Sequence, residues 1–326
     1  MEPIEIGAVT MYPFGGMIAL ALAAGAAWSC RGVREEKARK TLEIFWLLAI
    51  PLGLICSHLA WALCSLDMIG DEFFEVLLDF PGGGYLLYGA LIGAAGALAA
   101  ACAAGGESFG RTADRLACPF LLFGAFCALG EGLIGGGYGW KVEDWFQPEN
   151  SMSLFAMENP GIFEHFPFAV RDPFYGYATW AVFLPVALVL LLAMGRAARI
   201  EPAWDGDRAV FSLSLYAAVR VLYESLRQDD IPKWGFVRVN QVLSAVLLLI
   251  LMAVCLRRTR KGFGASLGLF AGGAALAGLM EFALEKKIGF LEWMPMDLCY
   301  VCSAAGCLLL FLSVDRLRKM SSAAEA

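Results

Sequence analysis

Charge is what this sequence has least of. Only 17% of its 326 residues are Asp, Glu, Lys or Arg, while 59% are hydrophobic and the mean hydropathy is +0.65. An ordinary soluble domain carries about 25% charged residues. The charges present fall in short clusters between long apolar runs, which excludes a soluble core with charged faces turned to water. Histidine is nearly absent. His58 and His165 are the two in the chain, and neither has metal-ligand spacing, so no metal is assigned and no cofactor is called for. A basic stripe with interleaved aromatics is missing, which argues against nucleic acid as a partner. So are a P-loop, a dinucleotide fingerprint and a serine nucleophile elbow. The ten cysteines lie mostly inside apolar runs and the long polar stretch 139–172 holds none, so a disulfide framework is not expected. Cys299-x-x-Cys302 has the spacing of a redox or metal pair, but without a second pair or a nearby His it reads as core. The first apolar run follows acidic Glu2 and Glu5 rather than a basic leader, so no cleavable signal peptide is expected.

What the sequence does have is apolar length. Nine segments approach the roughly 20 residues that cross about 30 Å of hydrocarbon. They run over 8–30, 41–66, 83–104, 116–138, 174–195, 209–226, 239–256, 263–284 and 294–314. The predicted fold is therefore an all-α polytopic transmembrane bundle of about nine spans. Lys and Arg set its direction. Seventeen of them fall in the loops after segments one, three, five and seven and in the tail, seven in the alternate loops, and Arg220 within a segment. This predicts the N-terminus outside and the C-terminus inside. Two outer loops are distinctive. The stretch 139–172 is acidic and aromatic, and reads either as a lid on the outer leaflet or as a connector. Asp67–Gly84 carries Phe73, Phe74, Val76, Leu77 and Leu78 beside acids, and reads as a short interfacial amphipathic helix.

Three patterns carry chemistry. Arg220-Val-Leu-Tyr-Glu224-Ser-Leu-Arg227 places a guanidinium and a carboxylate one turn apart on one face of segment six, with Arg227 continuing toward the outer end. A charge within a span costs about 2.5–3.5 kcal/mol on insertion scales, and a self-neutralising pair lowers that cost. The pair reads either as a structural clasp or as an anion site, since a guanidinium fork matches a phosphate. Gly82 to Gly93 combines glycines suited to close helix contact with the hydroxyl of Tyr88 in the outer third of a span. Gly130-Glu131-Gly132 opens a glycine-rich run at a span end, which is tolerable only beside protein or water, so Glu131 is a site candidate. Gln241, at the start of segment seven, suits either a cross-helix hydrogen bond or a lipid contact. His58 reads as a satisfied core residue, and Glu281 and Asp297 as charges solvated at the interface.

At these motifs the chain resembles the prolipoprotein diacylglyceryl transferase family, over roughly residues 10–256. Tyr88-Gly89-Ala90-Leu91-Ile92-Gly93 resembles the family's His/Tyr-Gly-Gly-Leu-Ile-Gly, and Arg220-x-x-x-Glu224-x-x-Arg227 its Arg-Phe-x-x-Glu-x-x-Arg. Gln241 falls at its Gly-Gln step, with Asn240 in place of Gly. Phe14-Gly15-Gly16-Met17 is similar to Tyr-Gly-Leu-Met, and Pro173-x-x-x-Tyr177 to Pro-x-x-x-Tyr-Glu, with Ala178 replacing the Glu. The span-four signature, Arg-x-Gly-Asn-Phe-x-Asn-Gly-Glu-x-x-Gly, keeps its glycines here, from Gly130 to Gly139, and loses the Arg, both Asn and the Glu.

The resemblance implies a membrane domain over 1–256, with 257–326 adding two spans and a short cytoplasmic tail. It implies transfer of a diacylglyceryl group from phosphatidylglycerol to the lipobox cysteine of a prolipoprotein, at the outer leaflet of the bacterial plasma membrane, without a cofactor. In that reading Arg220 and Arg227 stabilise phosphate charge, Glu224 orients Arg220, Tyr88 lies near thiol or phosphate, and Glu131 replaces a lost contact or serves as base. Gly130, Gly139, Tyr177, Phe14 and Gln241 join Arg227 in holding substrate. The alternatives are a non-catalytic relative that binds phospholipid or lipoprotein, and a transporter.

Overall fold

A computed structural model describes residues 4–6, 9–11, 13–70, 73–80, 84–134, 173–227, 232–259, 261–284, 294 and 296–325. The described chain is nearly all helical. Its long helices are α1 (Pro13–Cys30), α2 (Glu36–Cys64), the short α3 (Leu66–Ile69) and α4 (Phe73–Leu78), then α5 (Leu87–Gly105), α6 (Phe109–Ile134), α7 (Pro173–Ala198), α8 (Asp207–Leu226), α9 (Val239–Thr259), α10 (Phe263–Leu284) and α11 (Met296–Glu325). Two small antiparallel hairpins complete it, β1 (Ile4–Ile6) with β2 (Val9–Met11) and β3 (Lys233–Trp234) with β4 (Val237–Arg238).

Seven of these helices contain stretches long and apolar enough to cross a membrane, in α2, α5, α6, α8, α9, α10 and α11. Phe14–Cys30 and Phe183–Ala198 are shorter apolar helices among the described residues. The burial pattern is that of a protein in hydrocarbon. Leu47, Ile92, Leu192 and Leu308 are exposed, while Asp114, Asp207, Glu224, Asn240, Glu281 and Arg318 are buried. Water would invert that arrangement.

The helix limits differ from the expected segments in instructive ways. The first segment was expected from residue 8, but Val9–Met11 is strand and the helix starts at Pro13. Proline lacks an amide hydrogen and sets a helical φ, so it suits the first helical position and disfavours helix before it. The amphipathic stretch after α2 breaks at Gly70 (φ +57) into α3 and α4 rather than forming one helix.

Close helix contact follows from glycine. A Cβ on Gly89 would lie 2.3 Å from the Cys56 carbonyl oxygen, and one on Gly93 would lie 2.3 Å from that of Leu52. These two glycines are what lets α5 press its backbone against α2. Gly273 and Gly306 do the same where α10 crosses α11. His58 is fully buried on α2, with Nδ1 2.9 Å from the Gly84 carbonyl oxygen and Nε2 2.9 Å from that of Val76. It thus ties α4 and the approach to α5 back onto α2.

Helix α8 is the centre. Its spanning window is 67% buried, against 22% for those of α2 and α10. On one side Phe211, Tyr216 and Tyr223 pack with α6 and α7. On the other, Val210, Ala217 and Val221 pack with α9, α10 and α11. Of the seven membrane-length stretches this one has the lowest mean hydropathy, 1.3, and central burial accounts for it: its polar side chains meet protein rather than lipid.

Candidate active site

The polar residues collect where α6 and α8 end and α9 begins. Arg220 Nη2 lies 2.5 Å from Glu224 Oε1, one helical turn on, as the spacing predicted. The Glu224 side chain is fully buried and that of Arg220 is 11% exposed. Asn240 Nδ2 donates to the same Glu224 oxygen at 2.8 Å, so a residue from α9 closes the pair. Arg220 Nε, Glu224 Oε2 and Asn240 Oδ1 are buried without a hydrogen-bond partner among the described residues. This cluster therefore holds more donor and acceptor capacity than it uses internally.

A second cluster adjoins it. Glu131, on α6, accepts from Arg227 Nη1 at 2.9 Å and from the Tyr223 hydroxyl. The Arg220 and Arg227 guanidinium carbons lie 4.6 and 5.2 Å from the centroid of the Tyr223 ring, within cation–π range. Arg227 caps the C-terminus of α8 in extended conformation, and its carbonyl accepts from Arg238 Nη2 on β4. Two carboxylates and at least two guanidiniums thus share one end of the bundle.

These groups border a cavity of about 860 Å³. Glu131, Arg220, Tyr223, Arg227 and Asn240 line its polar part, and the remainder is largely apolar, with Phe14, Trp61, Leu91, Phe123 and Leu190 among the walls. It extends along the bundle as far as Phe109 and Ala209. Those two residues lie in the first turns of α6 and α8, at the end away from Arg220. A long apolar space ending at paired guanidiniums suits a molecule with acyl chains and an anionic head. Among the described residues no three His, Cys, Asp or Glu side chains come together as metal ligands.

The other expected site residues are placed as follows. The Tyr88 oxygen is 2.6 Å from Ser244 Oγ, and Ser244 donates to the Asn240 carbonyl at 2.6 Å. Ser244 has one proton, so Tyr88 is the donor to Ser244. Tyr88 therefore supports the backbone that carries Asn240, and it does not line the cavity. Gln241 Nε2 donates to Ser225 Oγ at 2.9 Å and Glu281 Oε2 at 3.2 Å, and its Oε1 accepts from the Arg238 amide at 3.0 Å. Of the two readings open for Gln241, the structure shows the cross-helix bond. Phe14 does line the cavity, and its ring leaves no room for a Cβ on Gly130, which would lie 2.9 Å away. Gly139 and the side chain of Tyr177 lie outside the described residues. Glu281 corrects an expectation. It is buried and bonded to Gln241 rather than solvated at the interface, because α10 and α11 cover that end of α9.

Sequence reasoning missed Asn240 and Tyr223 as site members. Asn240 had been noted only as a replacement for glycine. An amide at the mouth of an apolar segment, next to Gln241, was the available signal.

Comparison with known proteins bears on what binds here. The family model for prolipoprotein diacylglyceryl transferase matches residues 2–257. The chain belongs to this family. Similar relatives include the phosphatidylglycerol–prolipoprotein diacylglyceryl transferase of Geobacillus kaustophilus, 24% identical over 264 residues that cover 80% of this chain and 93% of that protein. The enzyme of the same name from Bacillus licheniformis is 25% identical over 265 residues, 80% of this chain and 94% of that one. That of Listeria monocytogenes is 24% identical over 260 residues, 79% and 89%. The match covers every element from β1 to β4 and all but the last two residues of α9, including the whole Arg220 cluster. Helices α10 and α11 lie beyond it.

Proposed function

We propose that this chain transfers a diacylglyceryl group from phosphatidylglycerol to the thiol of a prolipoprotein's lipobox cysteine, as a multi-pass protein of the bacterial plasma membrane. In this reading the chain crosses nine times, with its N-terminus outside and its C-terminus inside. The Arg220 end then faces the outer leaflet. Residues 1–256 form the transferase domain, and 257–326 add two spans and a cytoplasmic tail.

The carrying observation is Arg220 itself. It borders a large apolar cavity, is held from one side by Glu224, and keeps a buried Nε without a partner among the described residues. A headgroup phosphate seated there receives charge-assisted bonds from Arg220 and Arg227 while the acyl chains occupy the apolar part. The cysteine sulfur attacks the glycerol carbon that bears the phosphate. A carbon–sulfur bond forms, the carbon–oxygen bond to phosphate breaks, and glycerol phosphate leaves with the electron pair. Charge grows on the departing phosphate, where fixed guanidiniums stabilise it more than they stabilise bound lipid. Glu131 borders the cavity and takes the thiol proton. Glu224 and Asn240 fix Arg220, and Tyr88 and Ser244 fix Asn240. Gln241 fastens α9 to α8. Phe14 and Gly130 shape the wall.

Purified protein supplied with labelled phosphatidylglycerol and a lipobox peptide should give lipid-modified peptide and glycerol phosphate in equal amounts. Lipid binding that depends on Arg220 without any product would replace this reading with that of a non-catalytic lipid-binding relative. Lipid or solute flux in proteoliposomes without peptide would favour a transporter.

A further inference from the structure

Four arginines gather at the other end of the bundle. Arg208 precedes Arg220 by twelve residues on α8, about 18 Å of helix rise. Arg31 and Arg34 lie in the turn between α1 and α2, and Arg115 lies in the second turn of α6. All four border one cavity of about 330 Å³, together with Trp28 and a single carboxylate, Glu35.

The site is built rather than incidental. Asp114 accepts the Gly206 and Ala209 amides at 2.8 Å each, which joins the start of α6 to the start of α8 and sets their arginines side by side. Arg208 is anchored by Nη2 donating to the Ile200 carbonyl at 2.7 Å, while its buried Nε has no hydrogen-bond partner among the described residues. Arg115 Nη1 is also buried without one, since Glu107 stands 3.9 Å away, and Glu35 is 4.0 Å from Nη2. Both distances are too long for hydrogen bonds. A solvated loop of basic residues explains Arg31 and Arg34, which are exposed. It does not explain Arg208 Nε, a buried donor with no acceptor among the described residues, beside an Arg115 whose carboxylate partners Glu107 and Glu35 stand off at 3.9 and 4.0 Å, because a buried donor is costly unless something accepts from it.

We infer that this cavity binds the phosphate of an anionic phospholipid from the leaflet opposite the Arg220 end. Phosphate chemistry follows from the forks. A lipid source follows from the surroundings. Trp28 is half-exposed at the rim, where indole favours the headgroup level. Trp28 and Val33 give the cavity an apolar wall beside its guanidiniums, against which the glycerol end of the acyl chains can lie.

Native mass spectrometry of the full chain, titrated with phosphatidylglycerol and with zwitterionic phosphatidylcholine, tests this. The wild type should hold phosphatidylglycerol in two classes of site. Arg115→Gln/Arg208→Gln should lose one class and keep transfer activity, while Arg220→Ala should lose only the other. The exposed pair Arg31→Gln/Arg34→Gln, which does not threaten the fold, should weaken the same class about fivefold per arginine removed. Unchanged phosphatidylglycerol binding in the exposed pair, or equal binding of phosphatidylcholine, overturns the inference. Displacement by millimolar inorganic phosphate overturns the lipid assignment in favour of a soluble anion. Loss of transfer in Arg220→Ala bears on the proposed reaction alone, so the two readings stand or fall separately.

Discussion

Helix α8 carries an arginine–carboxylate cluster near each end, and the two are built differently. At the inner end in the proposed orientation, Arg318 of α11 donates through Nη1 to Asp207 and through Nε to Asp315, each at 2.8 Å. Lys319 adds a 2.7 Å contact to Asp315, and Asp207 accepts the Ala203 amide at 3.1 Å. That network closes on itself. At the other end, Arg220 meets one carboxylate, and three polar atoms of the Arg220–Glu224–Asn240 group are left without hydrogen-bond partners beside a lipid-sized cavity. Residue type does not separate a clasp from a site. Unspent hydrogen-bonding capacity facing a cavity does.

The contrast can be broken by substitution. The largest effect on stability is expected from Arg318→Ala, which takes the buried guanidinium from both Asp207 and Asp315 and leaves Asp207 with no cationic partner among the described residues. Removing one partner of a buried pair costs about 3–5 kcal/mol. Thermal unfolding in detergent should show the loss, with kcat per folded molecule unchanged. A large fall in kcat without a stability change would reverse the roles assigned to the two clusters. Next comes Arg220→Lys, which keeps the charge near Glu224 and removes the planar fork. Transfer kcat should fall about a hundredfold, the cost of removing one transition-state donor, and stability should change less than in Arg318→Ala. Full activity in the lysine variant would show that the fork is not needed. Tyr88→Phe deletes one buried hydrogen bond and should cost about 0.5–1.5 kcal/mol. Activity should drop only as far as Asn240 shifts, so a loss as large as that of Arg220→Lys would mean that the hydroxyl meets substrate. The smallest effect belongs to Arg39→Ala. Its partner is Glu43 at 2.9 Å, and the two side chains are 70% and 58% exposed. Solvent screening limits that pair to about 0.5 kcal/mol at most, and a larger shift in unfolding would contradict its surface character.

The unmatched C-terminal helices belong to the same comparison. Glu281 of α10 accepts from Gln241, Tyr300 of α11 donates to the Ser225 carbonyl at 3.4 Å, and Arg318 reaches Asp207. The extension thus touches α8 or its partner α9 near both ends. It braces the helix that carries Arg220, although none of its described residues borders the apolar cavity.

Much of this could be read from the chain. Apolar length gave the helices, because transfer free energy sums along a segment whatever lies beside it. The four-residue interval from Arg220 to Glu224 gave their contact, because one helical turn fixes it. Gly89 and Gly93, one turn apart, announced close packing. The contacts of Asn240 with Glu224 and of Glu131 with Arg227 were not legible, since they join helices whose relative rotation no local pattern sets. Glu281 was misread for the same reason: a carboxylate near a span end is solvated unless another helix covers it.

By itself, then, the sequence determined which stretches are helical and apolar and which charges sit a turn apart, because those properties depend on neighbours along the chain. Tertiary structure alone decided which charges are spent on one another and which are left facing a cavity. That depends on how α6, α8 and α9 meet, and on the covering helices α10 and α11.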